Sequence, residues 1–312
     1  MIILAPMQGL TELLFRRAYE QVFPHALDVA VSPFISLTHG SLKDALKKIS
    51  DVLPENNLGS IPVIPQILGR ETQEFVELAN RLYDLGYDEV NWNIGCPMRR
   101  VAAKHRGSGI LPYPDEVEEV LNAVVPNLKP QLSVKMRLGY YKCDEIFELI
   151  PILNDIPLKN VTIHPRIGKQ IYSGVPDMDT FSQVLPLIKH PVIYNGDVCT
   201  AEGFNVIRSR FPQIEDIMIG RGILYDPLLP LKIKGITANK DKGREFIQVL
   251  IEAIVNRPIT VQAKIRKIKE YWCLLYKSLG ITEQQRYKVL HSTSLEDTLD
   301  EVRRCIQDNT LQ

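Results

Sequence analysis

The feature that most limits the fold is an alternation repeated eight times. A short, nearly continuous apolar run is followed by a longer stretch of helical period. The runs are residues 2–5, 28–31, 62–67, 89–93, 132–137, 160–164, 192–195 and 216–219. Helical stretches occupy 12–22, 42–52, 71–85, 115–125, 144–154, 179–188 and 201–210. An apolar run that does not alternate is buried on both faces, as in parallel strands covered by helices. Such a chain closes either as an open doubly wound sheet or as a barrel. The open dinucleotide-binding sheet needs a glycine-rich turn after its first strand. Here that turn is Pro6–Met7–Gln8–Gly9, with a single glycine. Eight units in about 225 residues fit a closed α/β fold, the (β/α)8 or TIM barrel.

Strand signals stop near residue 238. A polar stretch at 238–243 reads as a linker, and 244–255, 259–279, 283–291 and 294–306 read as helices. The expectation is a barrel domain over 1–238 and a small all-helical domain over 239–312. Lys plus Arg and Asp plus Glu number 37 each. A neutral total neither requires nor excludes a polyanionic partner, because only a local basic surface is needed. The cysteines are Cys96, Cys143, Cys199, Cys273 and Cys305. Their spacing matches no zinc pattern, and an odd, scattered set is no disulfide framework. The expectation is a reduced, cytoplasmic protein without metal. No apolar run reaches the length of a membrane span, and no basic-then-apolar leader opens the chain, so neither membrane nor signal peptide is expected.

Barrel chemistry sits at the C-terminal ends of the strands. Those ends carry Met7, Ser32, Gln66, Asn93, Lys135, Arg137, His164, Arg166, Asn195, Asp197, Gly220 and Arg221. Recurrent polar residues after apolar strands point to one shared pocket. Asn195–Gly196–Asp197 and Gly220–Arg221–Gly222 follow the last two runs, where barrels often hold a phosphate. Glycine lets backbone N–H groups approach such an anion, and Arg221 adds charge. Asn91–Trp92–Asn93–Ile94–Gly95–Cys96–Pro97 places a cysteine on a constrained loop just past a strand. Arg99, Arg100, Lys104, His105 and Arg106 follow without an acidic residue between them. That run suits a polyanion and would lower a nearby thiol pKa. A second basic stretch, Lys264, Arg266, Lys267 and Lys269, precedes Tyr271–Trp272; its charges cannot all share one helix face. Packing is the expected place of Trp272.

Taken together, these segments resemble the tRNA-dihydrouridine synthases. The likeness begins at Ala5–Pro6–Met7–Gln8–Gly9–Leu10–Thr11 and continues through Pro65–Gln66–Ile67–Leu68–Gly69. Asn91–Trp92–Asn93–Ile94–Gly95–Cys96–Pro97 is its most specific segment, followed by Gly107–Ser108–Gly109. Val134–Lys135–Met136–Arg137, His164–Pro165–Arg166, Gln170–Ile171–Tyr172–Ser173–Gly174, Asn195–Gly196–Asp197 and Ile219–Gly220–Arg221–Gly222 complete it in order. Within the family the likeness is nearest to the branch acting on the uridine at tRNA position 16.

The resemblance implies FMN as cofactor, NADPH as reductant and tRNA as substrate, in a monomer. Cys96 would be the catalytic acid and Asn93 would orient the uracil. Gln66, Lys135 and His164 would hold the isoalloxazine ring and ribityl region of FMN, with Pro6 and Met7 against the flavin. Asn195, Gly196, Asp197, Gly220 and Arg221 would hold the ribityl-phosphate end. Arg137 and Arg166 would lie on the substrate side, with Arg99 and Arg100 toward the tRNA, and the C-terminal helices would help grip it. The implied reaction reduces the uracil 5,6 double bond, with hydride to C6 and the Cys96 proton to C5. Two alternatives share parts of this pattern: an FMN-dependent reductase of a free pyrimidine or other small activated alkene, and a tRNA-binding protein without catalysis. The first needs neither the basic loop nor the helical region; the second would bind tRNA unchanged without its cysteine.

Overall fold

The computed structural model describes residues 1–37, 45–46, 48–237, 239–276 and 280–308. The helix expected at 42–52 lies partly outside them; its described end is a 3-10 turn at Ile49–Val52. Residue 238 and the end of the 259–279 stretch also lie outside.

Ten parallel strands form one sheet. They are β1 (Ile2–Leu4), β2 (Val29–Val31), β3 (Ile35–Ser36), β4 (Val63–Ile64), β5 (Gln66–Leu68), β6 (Glu89–Ile94), β7 (Gln131–Gly139), β8 (Val161–Ile167), β9 (Val192–Tyr194) and β10 (Ile217–Ile219). Their order is β3-β5-β6-β7-β8-β9-β10-β1-β2-β4. Only Pro65 separates β4 from β5, and only Ser32, Pro33 and Phe34 separate β2 from β3. β2 pairs with β4, and β3 with β5. Each couple is therefore one strand interrupted near a proline, which cannot donate to the ladder. Counted this way the sheet has the eight expected strands, and its two ends meet in a closed barrel.

Helices cover the outside: α1 (Leu13–Val22), α2 (Thr72–Asp84), α4 (Pro114–Val124), α5 (Ile146–Asp155), α6 (Met178–Val184) and α7 (Ala201–Arg210); the short α3 (Arg99–Ala102) lies in the loop after β6. α2 shows why they sit there. Phe75, Leu78, Ala79 and Leu82 fall at helical spacing on one face and are buried. Phe75 meets Trp92 of β6 edge-on at 6.3 Å. After β10 come two short helices not foreseen from the sequence, α8 (Arg221–Tyr225) and α9 (Leu229–Ile233). The C-terminal region follows as α10 (Lys240–Val255), α11 (Val261–Leu275), α12 (Glu283–His291) and α13 (Leu295–Asp308).

These last helices share the barrel's core. Phe246 of α10 packs edge-on against Phe15 and Tyr19 of α1 at 5.4 and 5.6 Å, and Phe23 closes the cluster at 5.7 Å. Tyr271 of α11 stacks on Phe15 at 6.0 Å. Aromatic pairs of this kind contribute ~0.5–1.5 kcal/mol each beyond simple burial.

Inside the barrel the two halves differ. Ile3, Ala5, Val31, Ile193 and Met218 form one small apolar cluster. The facing strands turn polar groups inward. Gln66 Nε2 donates to Asn91 Oδ1 at 2.7 Å, and Asn91 Nδ2 donates to Ser133 Oγ at 2.9 Å. Buried amides in such a chain satisfy one another and hold β5, β6 and β7 in register.

Candidate active site

A cavity of about 640 Å³ opens at the C-terminal ends of the strands. That volume is typical of a cofactor or small-molecule site. Its floor carries Asn93, Cys96, Lys135, Arg137 and His164. Pro6 and Met7 form the side next to β1. Asn195, Gly196, Asp197, Gly220 and Arg221 form the end next to β9 and β10. Arg100 reaches the rim, but Arg99 does not line the cavity. Gln66 and Arg166 also lie behind the wall, both buried.

The Cys96 loop is built by its neighbours. Asn93 Oδ1 accepts from the N–H groups of Gly95 at 3.1 Å and Cys96 at 2.9 Å. Asn93 Nδ2 donates to Gln66 Oε1 at 2.7 Å. Much of the Asn93 amide is therefore engaged in shaping the loop, a use the sequence did not reveal. Ser108 sends both its N–H and its hydroxyl to the Cys96 carbonyl, each at 3.0 Å. Gly107 has φ +55°, and a Cβ there would lie 2.6 Å from the Cys96 carbonyl oxygen. The Gly107–Ser108–Gly109 segment thus fixes the cysteine from below.

Cys96 is more enclosed than a loop position suggests, with 9% of its surface exposed. Burial raises its thiol pKa, against the opposing pull of the Met98 N–H, Arg137, Arg100 and Lys135. The expectation of a lowered thiol pKa is corrected here: desolvation outweighs the cations. The basic run also divides. Arg106 pairs with Glu71, while His105 meets Glu116 at 2.8 Å and stacks on Tyr113 at 3.9 Å. Arg100 and Lys104 remain at the cavity rim.

Lys135 is half-buried and lines the cavity. Burial first, and Arg137 second, bring its pKa down to about 7. Arg137 donates to the carbonyls of Gly95 at 3.1 Å, Ile167 at 2.9 Å and Ile171 at 2.6 Å. It ties the loops after β6 and β8 together across the floor. Burial brings its pKa down to about 10.

Arg166 is only 1% exposed. Its guanidinium meets Asp197 at 2.8 and 2.5 Å, the carbonyls of Ser173 and Gly174 at 3.2 and 2.7 Å, and His164 Nε2 at 3.1 Å. Because a guanidinium only donates, Nε2 must accept, which assigns the imidazole proton to Nδ1. Burial, then Arg137, Lys135, Arg166 and Arg221, hold the His164 pKa well below its ordinary range. Asp197, in the left-handed region at φ 40°, also pairs with Arg221. Burial opposes its charge, but the two guanidiniums outweigh it and lower its pKa.

Tyr172 also lines the cavity, its ring 5.7 Å from the Arg137 guanidinium and 5.0 Å from that of Arg221. The sequence marks its segment but gives the residue no role; only the fold brings it between two cations. Among the described residues no group of three or more His, Cys, Asp or Glu side chains is placed to hold a metal ion. No helix there is long and apolar enough to cross a membrane.

A profile of the family described as dihydrouridine synthase (Dus) matches residues 3–309. The chain belongs to the dihydrouridine synthase family. Among its relatives, tRNA-dihydrouridine synthase B of Pasteurella multocida is 29% identical over 229 residues, covering 73% of this chain and 67% of the relative. tRNA-dihydrouridine(16) synthase of Haemophilus ducreyi is 29% identical over 264 residues, covering 82% and 79%. The fold is shared with morphinone reductase, at a TM-score of 0.53 and 14% identity over 78% of this chain and 88% of the other. Old Yellow Enzyme from Pichia sp. AKU4542 gives a TM-score of 0.53 and 10% identity over 77% and 85%. At such identities the likeness is one of fold.

Proposed function

We propose that this dihydrouridine synthase reduces the 5,6 double bond of a uridine in tRNA, using FMN and NADPH, with Cys96 as the acid. The observation that carries the reading is the buried Cys96 thiol in one cavity with Lys135 and the Arg221 end, within a family member.

The residues present fit FMN. Ala5, Met7, Leu68, Val198, Met218 and Ile219 offer apolar surface for a flat ring. Lys135, with its pKa of about 7, brings an amino group to that region whose protonated form would face the electron-rich part of the ring beside the neutral His164. At the other end, Gly196 and Gly220 leave backbone open to a phosphate, and Arg221 supplies charge. Gln66 acts through Asn93 in this reading, and Arg166 through His164 and Asp197. When bound, FMN supplies the hydride that goes to uracil C6.

Cys96 delivers the proton to C5. Burial keeps the thiol protonated before transfer. The thiolate left behind is received by the Met98 N–H, Arg137, Arg100 and Lys135, and water restores the proton. A positioned acid contributes about 10²–10⁴-fold to such a step. The target uridine must leave the tRNA interior to enter the cavity. Arg100 and Lys104 at the rim, with Arg99 outside it on the same short helix as Arg100, attract phosphates around it, and residues 239–312 form the second tRNA-binding region. Likeness to the tRNA-dihydrouridine(16) synthase supports position 16 as the target.

The test incubates purified protein with NADPH and unmodified tRNA and maps dihydrouridine. Product at a single D-loop position, with bound flavin, is expected. Reduction of free uridine or a small alkene with no dihydrouridine in tRNA would favour the small-molecule reductase instead. Cys96→Ala should retain FMN and tRNA binding while turnover falls ~10²-fold or more.

A further inference from the structure

The loop between β1 and α1 supplies one wall of the cavity, through Pro6, Met7, Gln8 and Leu10. At its base, the buried Thr11 hydroxyl donates to the Ala5 carbonyl at 2.9 Å and accepts from the Met7 N–H at 2.8 Å. At its tip it turns through Gly9 in the left-handed region at φ +80°. The tip carbonyls of Gly9 and Leu10 are not consumed by helix or sheet. They are met by side chains more than 250 residues away. Lys267 Nζ donates to the Gly9 carbonyl, and Tyr271 Oη donates to the Leu10 carbonyl at 2.6 Å. Lys267 and Tyr271 lie one turn apart on α11, so one helix face delivers both donors.

The donors are themselves fixed. Tyr271 is buried, and its ring stacks on Phe15 at 6.0 Å. The Lys267 ammonium lies 5.2 Å from that ring and 3.1 Å from Glu270 Oε2. α11 also packs on α8, which begins at Arg221 on the opposite rim. One C-terminal helix therefore touches elements at both the Met7 and the Arg221 sides of the cavity.

We infer that Lys267 and Tyr271 are positioning residues that clasp the Met7–Thr11 loop, making the C-terminal helical region a working part of the cofactor site. Neither side chain lines the cavity. They act through the loop's backbone, fixing where Met7 and Leu10 stand. The inference rests on the flavin reading for its functional meaning, and on the two hydrogen bonds for its structure.

The test uses the full chain with Lys267→Met, Tyr271→Phe, the double variant and Lys267→Arg. Arg266→Gln, on the same helix but off the loop, is the control. Hydrogen exchange of residues 7–11 is measured without flavin, FMN affinity by fluorescence quenching, and stability by thermal unfolding. The double variant should unfold near the wild-type temperature, exchange faster across 7–11 and bind FMN ~10-fold or more weakly, since two backbone contacts are lost. Lys267→Arg should restore most of the affinity, and Arg266→Gln should leave exchange and affinity unchanged. Unchanged exchange and affinity in the double variant would overturn the inference. So would an affinity loss that merely follows the fall in unfolding temperature and is not rescued by arginine. If the wild-type protein binds no FMN, the flavin reading fails and the exchange measurement alone decides the clasp.

Discussion

Cys96, just past β6, and Lys135, on β7, line one cavity and carry opposite protonation demands. The raised thiol pKa of Cys96 would keep the proposed acid protonated beyond the ordinary thiol value of about 8.5. The proton-donor step, measured as single-turnover uridine reduction, should therefore stay level through pH 8 and decline only in more alkaline solution. Decline centred near pH 7 would assign the step to another group. Lys135 follows the reverse logic. Its folded pKa of about 7 lies below the unfolded value of about 10.4, so the unfolded chain binds more protons between those values. This site's penalty on stability is full below pH 7 and is relieved as pH rises toward 10. Chemical denaturation of the apoprotein should show that rise, and Lys135→Met should flatten it.

Arg166 is the residue whose removal has the widest reach. Arg166→Met leaves Asp197 with Arg221 as its remaining cation and frees His164 Nε2. Because the carboxylate is partly exposed and stays paired, the cost falls below that of breaking a fully buried pair, at about 1–3 kcal/mol. Denaturant melts should show that loss. In the folded variant, nitrogen NMR of His164 should show Nε2 gaining protonated character. An unchanged Nδ1-protonated signature would mean that Arg166 does not set the tautomer.

Among the elements, the segment from β6 through α3 to Gly109 shows how a loop is made rigid without metal or disulfide. Asn93 braces it from the strand, Ser108 from the following turn, and Gly107 gives the backbone room to pass. Gly107→Ala combines a left-handed φ with a close approach to the Cys96 carbonyl. It should cost about 1–3 kcal/mol and displace the thiol. Turnover should fall much further than FMN affinity, because the residues proposed to hold the flavin lie on other strands. Equal losses of both would show a general collapse of the cavity. The basic run teaches the complementary lesson at this scale: five basic residues close in sequence do not make one patch when Glu71, just before α2, and Glu116 of α4 meet two of them.

For the whole molecule, a balanced charge of 37 against 37 means that affinity for RNA must come from local placement. If Arg99, Arg100 and Lys104 each neutralise a phosphate, the logarithm of tRNA affinity should fall against the logarithm of salt with a slope of about −2 to −3. Replacing all three by glutamine should remove most of that slope while leaving FMN binding intact. An unaltered slope would move the main electrostatic contact to the C-terminal helices.

The barrel was legible in the sequence because an apolar run buried on both faces, repeated eight times with helices between, leaves few closures. The strand interruptions at Pro33 and Pro65 lie close to the points where hydrogen-bonding capacity is visibly missing. The lining of the cavity was legible because strand ends are local in sequence, so Cys96, Lys135, His164 and Arg221 could be placed on it one by one. Local order did not determine burial or partners. The Cys96 pKa depends on what encloses it, and Arg166 was drawn behind the wall by Asp197, 31 residues away. Tyr172 gained its place between Arg137 and Arg221 in the same way. Lys267 and Tyr271 read as part of a basic helix, yet their polar atoms meet a loop at the opposite end of the chain. Sequence period sets which face of an element is apolar; long-range packing alone decides which donor finds which carbonyl.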